Sequence, residues 1–179
     1  MFPQNLYYAL LIIGFKRYGG RELAGRPKSK FFEADIWWQH QLKFKAKLDG
    51  FHEVEIDELE PHGTDSAPNP ADYFLLAVGG CLSSSFIFSL SKFDVSLKKM
   101  HAKVRGKYTR VNERVRIERV DVVLEVEPST ERDLQEMKEW CIGVFRNFCI
   151  ISESIRKGLP IGVTLKIGNE EIEIPPPEG

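Results

Sequence analysis

One stretch of this 179-residue chain limits its fold more than any other: Pro70-Ala-Asp-Tyr-Phe-Leu-Leu-Ala-Val-Gly-Gly-Cys-Leu-Ser-Ser-Ser-Phe-Ile-Phe-Ser-Leu90. At 3.6 residues per turn it is apolar on nearly every side, so a helix here must be surrounded by protein. Asn69 is a good N-cap, Pro70 suits the first helical position, and Asp72 places a carboxylate among the free amides. The helix is expected to run to about Lys92. Gly79-Gly80 costs about 1 kcal/mol of helix propensity per glycine, which implies close approach of another backbone or of a substrate.

The rest of the pattern alternates strands with one more helix. Residues 1–30 read as an N-terminal extension, a short apolar helix around Leu6–Phe15 followed by a basic, Gly-rich linker; residues 31–179 form the domain. A strand signal begins near Phe31 and runs through Trp37-Trp38. Leu42, Phe44, Ala46 and Leu48 then alternate with lysines, and Val54 and Ile56 alternate with acids. A three-residue loop at 49–51 sets Lys47 against Glu53, Lys45 against Glu55 and Lys43 against Asp57 on a solvent-facing side. Residues 61–68 are a polar loop. Met100, Ala102, Val104, Gly106 and Tyr108 share one strand face. In the next strand the alternation changes phase across Glu118-Arg119, as a β-bulge would make it.

Ser129 and Thr130 cap a second long helix with an apolar stripe of Leu134, Met137, Cys141, Val144, Phe145 and Phe148, stopped by Gly158 and Pro160. Ile161, Val163, Leu165 and Ile167 make a closing strand, and Ile172 and Ile174 belong to another. The class is α+β: antiparallel sheets packed around two long central helices.

Charge is balanced, 25 basic against 26 acidic residues, with no basic stripe of the kind that binds nucleic acid. The ten apolar residues Leu6–Phe15 are too few to span a bilayer and follow no basic segment. A cytoplasmic protein without membrane partners is expected. His40, His52, His62 and His101 are scattered and no Cys-x-x-Cys or His-Glu-x-x-His occurs, so neither metal nor cofactor is expected.

Three cysteines do not make a disulfide framework. Cys141 lies in the apolar stripe and reads as core packing. Cys81, mid-helix, and Cys149, in Asn147-Phe-Cys-Ile-Ile-Ser-Glu-Ser-Ile155, leave two possibilities open. A thiol among apolar side chains has a raised pKa and is inert, whereas two brought together form a peroxidatic and resolving pair.

Asn69-Pro-Ala-Asp-Tyr-Phe-Leu-Leu-Ala-Val-Gly-Gly-Cys-Leu82 resembles the cysteine-helix motif of the OsmC/Ohr family, the osmotically induced and organic-hydroperoxide-resistance proteins. Cys149-Ile-Ile-Ser152 is similar to that family's Cys-Pro-Val-Ser segment, with Ile150 in place of proline. The order of elements fits from about residue 31 to 168. The resemblance implies an OsmC-like fold and an intertwined homodimer with active sites at the subunit interface. It further implies a thiol-dependent peroxidase: Cys81 becomes a sulfenic acid on reaction with an organic hydroperoxide, Cys149 condenses with it to a disulfide, and a dithiol, such as a lipoyl group, restores the pair. The alternative is a non-catalytic dimer that holds a small lipophilic ligand in the interface pocket.

Two departures bear on catalysis. Peroxidase members supply an arginine from the segment before the cysteine helix, yet no arginine occurs between Phe31 and Gly80. His62, or Arg17, Arg21 and Arg26 of the extension, are the substitutes available. Asp72 matches the family's acidic residue but is one methylene shorter. Nine residues of ideal helix turn through about 900°, placing it opposite Cys81, where the role of an N-terminal carboxylate suits it better.

Overall fold

The computed structural model describes residues 33–48, 50–158, 163–167 and 170–174; the extension expected over residues 1–30 lies outside the described residues. Strands β1 (Ala34–His40), β2 (Lys43–Leu48) and β3 (Val54–Ile56) form an antiparallel sheet in that order. Phe44 lies opposite Ile56, Lys45 opposite Glu55 and Ala46 opposite Val54, the register expected from a three-residue loop. Gly50 provides the positive φ of 80° at that turn.

The charge pairing differs from expectation. Lys43 bridges to Glu55 at 3.1 Å and Lys45 to Glu53 at 3.7 Å, each one step along the diagonal. Asp57 does not face water but is fully buried. Its Oδ2 accepts the hydroxyls of Thr64 at 2.6 Å and Ser66 at 2.8 Å, and its Oδ1 accepts the Glu58 amide at 2.9 Å. The Thr64 hydroxyl does most to hold this carboxyl well below the usual carboxylate range, against the opposing effect of burial. Five donors, the amides of Glu58, Thr64 and Ser66 and the hydroxyls of Thr64 and Ser66, converge on this one carboxylate and give the 57–68 loop a fixed shape. Because the Asp57 amide also reaches the Pro68 carbonyl at 3.3 Å, the loop delivers Asn69 to its capping position.

Helix α1 (Pro70–Ser91) starts as the sequence predicts. Asn69 Oδ1 accepts the amides of Ala71 at 2.9 Å and Asp72 at 3.1 Å, and Asp72 Oδ2 accepts the Asn69 amide at 3.1 Å, a reciprocal capping box. The Tyr73 hydroxyl donates to the Glu55 carbonyl at 2.7 Å and ties the first turn to β3. By length and composition α1 could cross a membrane, with a mean hydropathy of 1.8; here it packs on β4 and on the helical segments that follow β5.

Strands β4 (Leu97–Val111) and β5 (Arg114–Pro128) form a long hairpin. Lys107 pairs with Arg119 and Tyr108 with Ile117, leaving Glu118 as the extra residue of a bulge at the phase change seen in the sequence. Strands β6 (Val163–Ile167) and β7 (Glu170–Ile174) form an antiparallel hairpin, Val163 opposite Ile174.

The two glycines of α1 prove unequal. A Cβ on Gly79 would lie 2.3 Å from Val104 Cγ2, so this glycine admits β4, whereas a Cβ on Gly80 would meet nothing within 4 Å. Gly79→Ala should therefore cost about 1–3 kcal/mol by overpacking, and Gly80→Ala should stabilise the chain by up to about 1 kcal/mol of helix propensity. Chemical denaturation of the two variants checks the contrast.

The second long helix is not one helix. After the Thr130 cap, α2 (Glu131–Glu136) widens into a π turn at Met137–Cys141, where the Ile142 amide bonds the Met137 carbonyl at 3.2 Å. A 3₁₀ turn (Phe145–Phe148) follows, and α3 (Ile150–Arg156) starts anew after Cys149, which is extended at φ −81° and ψ 101°. Gly143 and Asn147, poor helix formers, fall where the ladder fails. The apolar stripe survives the break: Met137 and Cys141 pack with Phe86, Leu90 and Val95, flanked by Leu134 and Phe145. Phe86 and Phe145 meet edge to face with centroids 5.4 Å apart.

Candidate functional site

A buried Ser85 hydroxyl on α1 donates to the Cys81 carbonyl at 2.7 Å, and the broken second helical region brings Cys149 against this turn. The thiols of Cys81 and Cys149 lie within hydrogen-bonding reach of each other, and both are free cysteines. Cys81 retains solvent access; Cys149 has none. The break described above makes the encounter possible, because Cys149 leaves the helical path and caps α3 with its sulfur, which accepts the Ser152 amide at 3.4 Å.

The surroundings of the two sulfurs differ. Burial raises the Cys81 pKa most, and the adjacent Cys149 raises it further, while the amides of Ile150 and Ile151 act in the opposite direction. Burial also acts to raise Cys149, but the hydroxyl and amide of Ser152, the Cys81 thiol and the Ser85 hydroxyl together outweigh it, and the net shift is downward. The Ser152 hydroxyl is buried with no well-aligned hydrogen-bond partner among the described residues. Among the influences that act most strongly on the pair, none is a cation.

The third cysteine is elsewhere. Cys141 is fully buried in the core, its sulfur 3.9 Å from the Ser89 carbonyl, and burial pushes its pKa up to about 11. It is core packing, as its place on the stripe indicates.

Of the remaining candidates, Asp72 holds the capping box described above, and no hydrogen bond joins it to either thiol. His62 sits exposed in the 57–68 loop, its amide bonded to the Leu59 carbonyl at 3.1 Å. Arg17, Arg21 and Arg26 lie outside the described residues. Three arginines that the sequence did not point to, Arg119, Arg146 and Arg156, line a cavity of about 540 Å³ between α1, β5 and the 3₁₀–α3 region. Its apolar wall includes Phe74, Val78 and Leu82, and Ser152 joins it to the thiol pair. Arg119 is paired with Asp121 and Arg156 with Glu153. All three follow the cysteine helix in sequence, so a search of the preceding segment could not find them.

The family model described as OsmC-like protein matches residues 63–164. Among solved structures, the chain is similar to an OsmC-like protein of unknown function from Vibrio cholerae O1 biovar eltor, with a TM-score of 0.59 and 14% identity over 70% of this chain and 94% of that one. It is also similar to an organic hydroperoxide resistance protein from Elizabethkingia anophelis, with a TM-score of 0.55 and 16% identity over 74% and 93% of the two chains. Another such protein, from Legionella pneumophila, gives a TM-score of 0.52 and 15% identity over 73% and 92%. No curated protein matches the chain. At these identities the likeness carries the fold and leaves the chemistry to the site itself.

Proposed function

Because the chain belongs to the OsmC-like protein family, we propose that its paired thiols make it a thiol-dependent peroxidase acting on organic hydroperoxides. The observation that carries this reading is the meeting of Cys81 and Cys149, 68 positions apart in sequence, within hydrogen-bonding reach. The solvent-accessible thiol, Cys81, takes the peroxidatic role. Its thiolate attacks the terminal oxygen of the hydroperoxide, the O–O bond breaks, the alcohol leaves and Cys81 becomes a sulfenic acid. Cys149 then condenses with it, releasing water and forming a disulfide, which also guards Cys81 against over-oxidation. A dithiol such as a lipoyl group reduces the disulfide, which places the protein in a reducing compartment such as the cytoplasm.

The apolar cavity beside Ser152 suits an alkyl or aryl substituent. The working unit is a homodimer, supported by the apolar residues that α1 leaves uncovered in the single chain, Leu76, Ile87 and Phe88.

The same cavity, and the absence of a cation among the strongest influences on the thiols, favour a second reading, a dimer that binds a lipophilic ligand without chemistry. Turnover separates the two. Wild-type protein supplied with dihydrolipoamide and cumene hydroperoxide should yield cumyl alcohol catalytically. Saturable binding of cumyl alcohol with no peroxide consumed would instead support the ligand carrier.

A further inference from the structure

The chain-wide balance of charge conceals a local excess. Nine of the 25 basic residues but two of the 26 acids lie between Leu97 and Arg119, which leaves 16 basic residues against 24 acids in the rest. Folding gathers that excess on one side of the β4–β5 hairpin. Val104 and Gly106 face α1, since a Cβ on Gly79 would strike Val104 and one on Gly106 would meet Leu75 at 3.0 Å. The alternate residues Lys103, Arg105 and Lys107 therefore point away from α1. Their row continues on β5, where Arg119 lies opposite Lys107, Arg116 opposite Thr109 and Arg114 opposite Val111. All six cations are exposed. At about 3.3 Å per residue they extend over roughly 27 Å of hairpin. Among the described residues, Lys103, Arg105, Arg114 and Arg116 enter no ion pair, whereas Lys107 is bonded to Glu118 and Arg119 to Asp121.

We propose that this outer face of the hairpin docks the protein that returns electrons to the thiol pair, an acidic domain carrying a dithiol. This rests on the peroxidase reading above. Two observations select that partner. Arg119 belongs both to the basic face and to the wall of the cavity, whose lining includes Ser152 beside Cys149, so a domain held on the hairpin has its dithiol at the way in to the disulfide. Glu118 and Asp121 interrupt the row of cations. The discrete carboxylates of a folded domain can be set between them. A nucleic-acid backbone, charged at every step, would cross both acids and then meet the acid-rich remainder of the chain. In the exchange, a thiolate of the docked dithiol attacks the Cys81 sulfur, which retains solvent access, and Cys149 leaves as a thiolate. The second thiol of the partner then displaces Cys81 and closes its own disulfide. Two electrons and two protons pass from the dithiol to the two cysteines. Cations beside the entrance raise the encounter rate of an acidic carrier by about tenfold or more, and salt removes that gain.

Steady-state reduction of cumene hydroperoxide by three reductants tests the docking face: a peptide with dihydrolipoyl-lysine set among glutamates, the same peptide with glutamines, and free dihydrolipoamide. For the wild-type chain at about 0.02 M salt, kcat/KM for the glutamate peptide should exceed that for the glutamine peptide by about tenfold or more, and at about 0.5 M salt the two should converge. The combined variant Lys103→Glu, Arg105→Glu and Arg114→Glu should reverse the preference while turnover with dihydrolipoamide stays at the wild-type rate. The milder set Lys103→Gln, Arg105→Gln and Arg114→Gln, which leaves less repulsion in the hairpin, should fall between the two. If the wild type uses both peptides equally at low salt, or its preference survives charge reversal, the docking face is wrong and the peroxidase stands on its turnover with dihydrolipoamide. Loss of binding to labelled DNA or to phosphatidylserine vesicles on charge reversal, with the peptides unaffected, would likewise overturn it in favour of those partners. If no dithiol supports consumption of peroxide, both readings fall.

Discussion

Cys81→Ser is expected to abolish all reaction with cumene or tert-butyl hydroperoxide, the largest catalytic effect of any single substitution. No other thiol can take its place. Cys149 has no solvent access, and Cys141 is buried in the core with its pKa pushed up to about 11. Stopped-flow consumption of peroxide measures the loss directly. Cys149→Ser should fail differently, stalling after about one equivalent with its sulfenic acid open to dimedone and, under excess oxidant, to irreversible oxidation. Cys141→Ser is the control: it should leave the chemistry intact and lower stability by roughly 1–3 kcal/mol, a hydroxyl placed among apolar side chains. Peroxide consumption persisting in Cys81→Ser would remove it from the peroxidatic role.

The second large effect concerns assembly. Sedimentation at low micromolar concentration is expected to show a homodimer and no well-folded monomer. Leu76 is 64% exposed in the single chain although it lies on the most apolar helix of the protein, and Ile87 and Phe88 are each nearly half exposed. Covering side chains of this size is worth roughly 1.5–3 kcal/mol each, so their exposure in water would be a standing cost. Leu76→Glu introduces a charge at a position that a monomer would tolerate and a dimer would not. It should shift the protein to monomers or to insoluble material, whereas an unchanged, well-folded monomer in the wild type would count against the dimer.

Much of the fold was legible in the sequence because its signals are local. Period-two alternation located β2, β4 and β5, the phase change at Glu118 located the bulge, and Asn69-Pro-Ala-Asp72 announced the start of α1. Charge pairing settled the register of β2 on β3 but misjudged Asp57. Its burial depends on Thr64 and Ser66 folding back over it, contacts that alternation along one strand cannot register.

The break in the second helical region was hidden for a related reason. A π turn followed by a 3₁₀ turn keeps Met137, Cys141 and Phe145 on one side, so the apolar stripe reads as continuous helix while the backbone does not. Gly143 and Asn147 were the available hints. That break matters to the site, since it frees Cys149 to cap α3 with its sulfur and turn toward Cys81. The residues of the pair came from a resemblance, but the groups around Cys149 could come only from the structure: Ser85, which bonds the Cys81 carbonyl, lies 64 positions away, and the Ser152 hydroxyl is noticed because it is buried without a hydrogen-bond partner.

The central claim is that Cys81 and Cys149 are redox partners, and the most direct measurement is a peptide map of wild-type protein after one equivalent of cumene hydroperoxide, digested without reductant. The account predicts loss of two titratable thiols per chain, a single cross-linked peptide joining Cys81 to Cys149, Cys141 still reduced, and full recovery of both thiols with a dithiol. Thiols that survive excess organic hydroperoxide unchanged, or a cross-link that includes Cys141 instead, would contradict it.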